Sequence, residues 1–166
     1  VEIDVIEAHY GKIELENHSR VKDSLLQATL SPLQTGQPIE QQRLDRSLLL
    51  LSDIPGIVTA ATVKRGEAVG MADLLVQSTP GPAAAGNLTF DNYGNRYTGS
   101  ALVGGEFSLY EPLHHGDLLN ANVMSSGHDM NYGQVLYDRL LNGAGTHLGA
   151  SYSALHYMLG QSLASL

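Results

Sequence analysis

Apolar and polar residues follow two different rhythms along this chain, and the change of rhythm divides it. At the start, apolar Val1, Ile3 and Val5 alternate with Glu2 and Asp4. That predicts a strand over 1–7, which Ile13 and Leu15 can prolong. Asn17 or Ser19 can cap a helix running to about Leu30, with Val21, Leu25, Leu26 and Ala28 as its apolar face. Ser31-Pro32 stops it. Gly36-Gln37-Pro38 opens a second helix, with Pro38 near the first turn, where its missing N–H costs nothing. Ile39, Leu44, Leu48 and Leu51 form its buried stripe, and Asp53-Ile54-Pro55-Gly56 ends it. Residues 57–63 are rich in β-branched side chains, Lys64-Arg65-Gly66-Glu67 makes a hairpin turn, and 71–77 is the return strand. The order is β-α-α-β-β.

The second half reads as strands alone. Over 100–111 the odd set is Ala101, Val103, Gly105, Phe107 and Leu109, and the even set mixes small and polar residues. Residues 117–125, 134–141 and 146–159 are further strands. Gly116-Asp117, Ser126-Gly127-His128-Asp129 and Asn142-Gly143 supply the turns. Elements of this length suit a tilted strand crossing a bilayer, with Tyr93, Tyr97, Tyr110, Tyr132 and Tyr157 as an interfacial girdle. The same alternation also fits a soluble all-β sandwich.

Composition follows the same division. Eleven of the seventeen acidic and seven of the nine basic residues precede residue 80, whereas thirteen of the eighteen glycines and seven of the eight tyrosines follow it. Ser78-Thr79-Pro80-Gly81-Pro82-Ala83-Ala84-Ala85-Gly86 separates the halves, which sets boundaries at 1–79, a linker at 80–86, and 87–166. A formal net charge of −8 argues against nucleic acid as a partner, because a phosphate-binding surface needs clustered Lys and Arg. The absence of cysteine removes disulfides, thiolate metal sites and cysteine nucleophiles. No apolar run is long enough for a transmembrane helix. Val1 in place of Met, with no leader-like segment, reads as a mature or excised chain.

Little in the chain points to catalysis, and the expectation is a non-enzyme. His114 and His115 are adjacent and flanked by turn residues, while His9, His18, His128, His147 and His156 lie far apart, with no ligand spacing among them. No metal and no cofactor is expected. Gly104-Gly105 and Gly143-Ala144-Gly145 lack the following helix that a phosphate cradle needs. There is no nucleophile elbow.

Several stretches together resemble one family. These are 48–57 (Leu-Leu-Leu-Leu-Ser-Asp-Ile-Pro-Gly-Ile), Gly66 and Gly70 with Asp73-Leu74-Leu75-Val76, the run Asp91-Asn92-Tyr93-Gly94-Asn95-Arg96-Tyr97-Thr98-Gly99, Gly116-Asp117, and Tyr152-Ser153-Ala154-Leu155. In order and spacing they resemble the outer-membrane transporters of two-partner secretion, the TpsB branch of the Omp85 superfamily. The resemblance implies an α+β POTRA domain, a three-stranded mixed sheet with two helices, followed by antiparallel strands of an incomplete outer-membrane barrel. Four or five such strands fit the length.

The function implied is recognition and translocation of a large exoprotein, a haemolysin or adhesin with an N-terminal secretion domain. The setting implied is the outer membrane of a Gram-negative bacterium, with outer-membrane lipid around the barrel and the POTRA part in the periplasm. An extended segment of cargo would add to a sheet edge, expected at 57–63 and flanked by the first helix. Val21 and Leu25 on the helix and Thr59, Ala61 and Val63 on the strand are the candidate contacts; the alternative is that they pack the module's own core. Asp91, Asn92, Tyr93, Gly94, Arg96 and Gly99 would mark entry to the first barrel strand, or simply form a turn. A barrel-assembly factor of the same superfamily, or a soluble β-rich binding protein, are the other readings.

Overall fold

The computed structural model describes residues 7–94, 100–127 and 130–158. Strand β1 is His9–Asn17, helix α1 Asp23–Leu30, helix α2 Gln41–Ser52, strand β2 Ile57–Arg65 and strand β3 Met71–Pro80. Then follow β4 Ala84–Asp91, β5 Leu102–Tyr110, β6 Asp117–Ser125, β7 Met130–Leu140 and β8 His147–Tyr157. The first three strands form a mixed sheet in the order β1-β3-β2, with β1 parallel and β2 antiparallel to the central β3. The last five form an antiparallel meander, β4 to β8 in chain order. The expected fold class is what the chain adopts.

The core lies between the first sheet and its helices. Leu26, Leu51 and Val76 are fully buried, with Leu74, Val21 and Tyr10 nearly so, and Ile39, Leu44 and Leu48 pack against them. The Leu stripe of α2 thus turns inward as its 3.6-residue period requires.

Local details differ from the sequence reading. The expected strand over 1–7 lies, up to residue 6, outside the described residues; Glu7 is not in a strand, and the prolongation through Ile13 and Leu15 is the strand that forms. Neither Asn17 nor Ser19 is the N-cap of α1, a position held by Lys22 without a side-chain bond. Asn17 instead ties the strand end to the helix start. Its Nδ2 donates to Val21 O at 2.8 Å and Asp23 Oδ1 at 2.6 Å, and its Oδ1 accepts Ser19 N–H at 2.9 Å. Pro38 precedes α2 altogether and bridges to His9, so residues 36–39 cover the start of the outer edge of β1. Lys64 and Arg65 belong to β2, leaving 66–70 for the turn. Gly56 ends the loop after α2 at φ 74°, a conformation that only glycine adopts cheaply.

The expected linker is shorter than its composition suggested. β3 runs to Pro80 and β4 starts at Ala84, so only 81–83 connect the two sheets, and Ala84, Ala85 and Gly86 pair with β5. Small residues next to two prolines read as a break, yet in an antiparallel ladder they need only donate and accept backbone bonds.

Candidate functional site

The first sheet has two edge strands, β1 and β2. Among the described residues β2 pairs with β3 alone, and α2 rather than α1 lies beside it. Its odd residues point to the helix side: Ile57, Thr59, Ala61 and Val63 sit opposite Pro80, Ser78, Val76 and Leu74, the last three buried. Helix cover fails part-way along this row. Ile57 is buried and Thr59 half-buried, but Ala61 is exposed and Val63 is 55% exposed. The Thr59 Oγ1 atom is buried without a hydrogen-bond partner among the described residues. The result is an apolar notch beside a strand whose outer edge pairs with no described strand.

Thr59, Ala61 and Val63 are therefore brought together, and Val63 is not a core residue. Val21 and Leu25 are not part of this notch. Val21 precedes α1 and is 2% exposed inside the core. Leu25 faces the other sheet, its Cδ2 lying 3.4 Å from where a Cβ on Gly116 would stand. With the first helix expected at the edge, Val21 and Leu25 are candidates there; the contacts belong to α2 instead.

At one end of the five-stranded sheet, two turns seat on the helices. The β5–β6 turn reaches the start of α1, where Lys22 N–H donates to His114 O at 3.3 Å and Lys22 Nζ to His115 Nε2 at 2.9 Å. The β7–β8 turn places Gly143 directly on the backbone of Ala28 and Thr29. Leu140, at the end of β7, is 5% exposed and joins the core of the first sheet. Two carboxylates lie inside the first of these turns. Asp117 is fully buried and accepts from Leu113 N–H and His115 N–H, both at 3.0 Å, and from Tyr137 Oη at 3.2 Å. Glu111 is 2% exposed and accepts Gly116 N–H at 3.2 Å. Burial pushes the Glu111 carboxyl up to about 7, with the Asp117 charge adding to the rise and Arg20 opposing it. Burial, then the charges of Arg139 and Lys22, holds the His115 ring below the usual imidazole range. The sequence reading missed this cluster because a turn carboxylate is ordinarily exposed and only tertiary packing buries Glu111 and Asp117; the only mark was the turn dipeptide Gly116-Asp117.

The described part of the run, Asp91 to Gly94, sits elsewhere than expected. It does not open the first strand of the second sheet; Asp91 closes β4, opposite Leu102. Eight residues of strand, about 27 Å at 3.4 Å each, separate this turn from the junction. Asp91 Oδ1 accepts Tyr93 N–H at 3.1 Å, the bond of an Asx turn, and Gly94 N–H reaches Ser100 O at 3.0 Å. Asn92, Tyr93 and Gly94 thus belong to a hairpin loop. Arg96 and Gly99 lie outside the described residues.

The two faces of the meander differ in chemistry. One row across all five strands is polar: Asn87, Glu106, Asn122, Gln134 and Ser153 are successive partners. Asn120 donates to Glu106 Oε1 and Ser108 Oγ, both at 2.9 Å, on the same face. The opposite face carries Leu88, Phe90, Val103, Phe107, Val123 and Val135, each 47% to 74% exposed. No described element covers it. An uncovered apolar face backed by a polar one is the pattern of a barrel wall, and a soluble sandwich would bury it.

This is a POTRA domain followed by barrel strands. Solved structures carry the same fold: CdiB from Escherichia coli at TM-score 0.64 and 16% identity, covering 87% of this chain and 28% of that one; CdiB from Acinetobacter baumannii at 0.63 and 23%, covering 90% and 28%; and BamA from Haemophilus ducreyi lacking POTRA domains 1-3 at 0.64 and 15%, covering 90% and 28%. No protein-family model matches the sequence. Among curated proteins, the heme/hemopexin transporter protein HuxB of Haemophilus influenzae strain 86-028NP is 27% identical over 168 residues, and that of strain Rd is 26% identical. The match covers 100% of this chain, which spans 30% of the length of those relatives. In sequence the chain is therefore similar to a transporter, and in fold to CdiB and BamA alike. In these terms the notch at Ala61 and Val63 lies on an edge strand of the POTRA sheet, and the Glu111–Asp117 turn lies where the POTRA domain meets the barrel strands.

Proposed function

We propose that this chain is part of an outer-membrane transporter that recognises a large secreted exoprotein in the periplasm and passes it through a barrel. The POTRA domain binds an extended cargo segment by adding it to the edge of β2. Main-chain N–H and C=O groups of β2 supply affinity, and alternate cargo side chains enter the notch at Ala61 and Val63, with Thr59 at its closed end. Val21 and Leu25 support the fold and the junction rather than the cargo. The observation that carries the reading is the half-uncovered helix-side face of β2, at a sheet edge where a folded domain would ordinarily cover apolar residues or charge them.

The localisation follows from the uncovered apolar face of the meander, which calls for lipid. The POTRA domain faces the periplasm, where an exported chain is still extended. The relatives found by sequence are transporters, which supports transport over catalysis. A second reading is a barrel-assembly factor: BamA matches the fold as well as CdiB does. Sequence likeness to HuxB favours the transporter.

Secretion tests the reading. In cells carrying the full natural transporter, Ala61→Pro removes an edge donor and abolishes release of the exoprotein while the transporter stays in the outer membrane. Undiminished release would overturn edge recognition. Failure of membrane proteins generally to assemble in a deletion strain would favour the assembly factor.

A further inference from the structure

Glu111 occupies an unfavourable position in three ways. Its backbone has φ 60°, in the left-handed region that non-glycine residues avoid. Its side chain is 2% exposed. Among the described residues its Oε2 has one donor, Gly116 N–H at 3.2 Å, and its Oε1 is buried with no partner. Asp117 stands in the same turn, and three donors supply it fully. Two ionised carboxylates in one buried turn repel, and the one with fewer donors is the one that takes the proton. Glu111 also presses on the POTRA side, its Cγ lying 3.3 Å from where a Cβ on Gly56 would stand. Opening the turn toward water would hydrate it and, at the same time, lift it from the POTRA domain.

We propose that the turn from Glu111 to Asp117 is a proton-sensitive latch that holds the POTRA domain against the barrel strands when Glu111 is neutral and releases it when Glu111 ionises.

The groups facing Glu111 set its bias. Asp117 on β6 raises its proton affinity, and Arg20, from the segment before α1, lowers it. Arg20 brings the POTRA domain's own charge to the latch, with Nε and Nη2 buried and unpartnered among the described residues. Tyr137 and Arg139 on β7 adjoin Asp117, the first through its hydroxyl and the second as its cross-strand partner. His114 and His115 lie in the turn itself, and Lys22 bonds to His115. Released, Glu111 returns toward its ordinary value of 4.5; latched, it sits at about 7. The latch therefore weakens as pH rises from 4.5 to 7 and stays weak above that. His115 acts in the opposite sense: with its proton affinity lowered in the latched state, it weakens the latch as pH falls below about 6.5. A comparison at position 111 separates the two.

The test is a distance measurement on the full natural chain that carries these residues, in detergent, with spin labels on Gln42→Cys in α2 and Ser153→Cys in β8. The ratio of latched to released populations should fall by up to about tenfold per pH unit between pH 5 and 7 and level off above 7. Glu111→Gln, which is isosteric and always neutral, should stay latched and lose that slope. Arg20→Gln should move the levelling point to higher pH. A distance distribution independent of pH in the unmodified latch, the same slope in Glu111→Gln, or an unmoved levelling point in Arg20→Gln would overturn the proposal.

Discussion

Gly143 rests on the backbone of Ala28 so closely that no Cβ could stand between them. This contact joins the barrel strands to the last turn of α1, and Leu140 extends it into the POTRA core. The two sheets are therefore bound by packing as well as by the three residues 81–83 that link them.

A side chain at position 143 should force the β7–β8 turn off the helix. Overpacking of this kind costs about 1–3 kcal/mol. Gly143→Val should make the junction more susceptible to limited proteolysis while leaving the melting of the POTRA core little changed. Unaltered cleavage at 141–146 would show that the turn is not seated.

Stability and recognition should separate within the POTRA domain. Leu51→Ala removes a fully buried side chain and should cost about 2–5 kcal/mol in denaturant unfolding. Val63→Ser alters a residue 55% exposed and should stay within about 0.5 kcal/mol. It should nonetheless weaken cargo binding measured by calorimetry.

Acid should strengthen the fold around Glu111. A carboxyl raised from 4.5 to about 7 binds a proton that the unfolded chain has lost, so its cost is absent below 4.5, grows to about 7 and is complete above. The cost is on the order of 3 kcal/mol. Glu111→Gln should be more stable than the unmodified chain at pH 8 and equal to it near pH 4.5, by chemical denaturation.

The faces of the meander should differ in tolerance. Val123→Arg on the apolar face should cost up to about 2–4 kcal/mol of insertion near mid-bilayer and lower the amount assembled in the outer membrane. Asn122→Arg, on the polar face, should assemble normally. Equal levels of both would argue against a lipid-facing wall.

Much of the fold was legible because local and long-range demands agree. Gly116-Asp117 and Ser126-Gly127 bracket β6, so its ends could be read from turn chemistry alone. The Leu stripe of α2 announced its inner face. β4 was hidden because 80–86 holds breakers and small residues that read as a linker, although Ala84 to Gly86 need only backbone bonds to pair with β5. With β4 unread, Asp91 to Gly94 are expected at the entry to the first barrel strand, whereas they follow it in the loop toward β5. The notch was half legible: alternation grouped Thr59, Ala61 and Val63, but which helix flanks β2 is a tertiary fact. The Glu111 cluster depends on Arg20, ninety residues away in sequence order, and no local pattern foretells it.

Hydrogen exchange on the full natural transporter, with and without the exoprotein's secretion domain, tests edge recognition most directly. Addition of a cargo strand should slow exchange of alternate amides between Ala60 and Arg65 on β2 and leave β1 unchanged. Protection on β1 instead, or none on β2 at saturating cargo, would contradict the account.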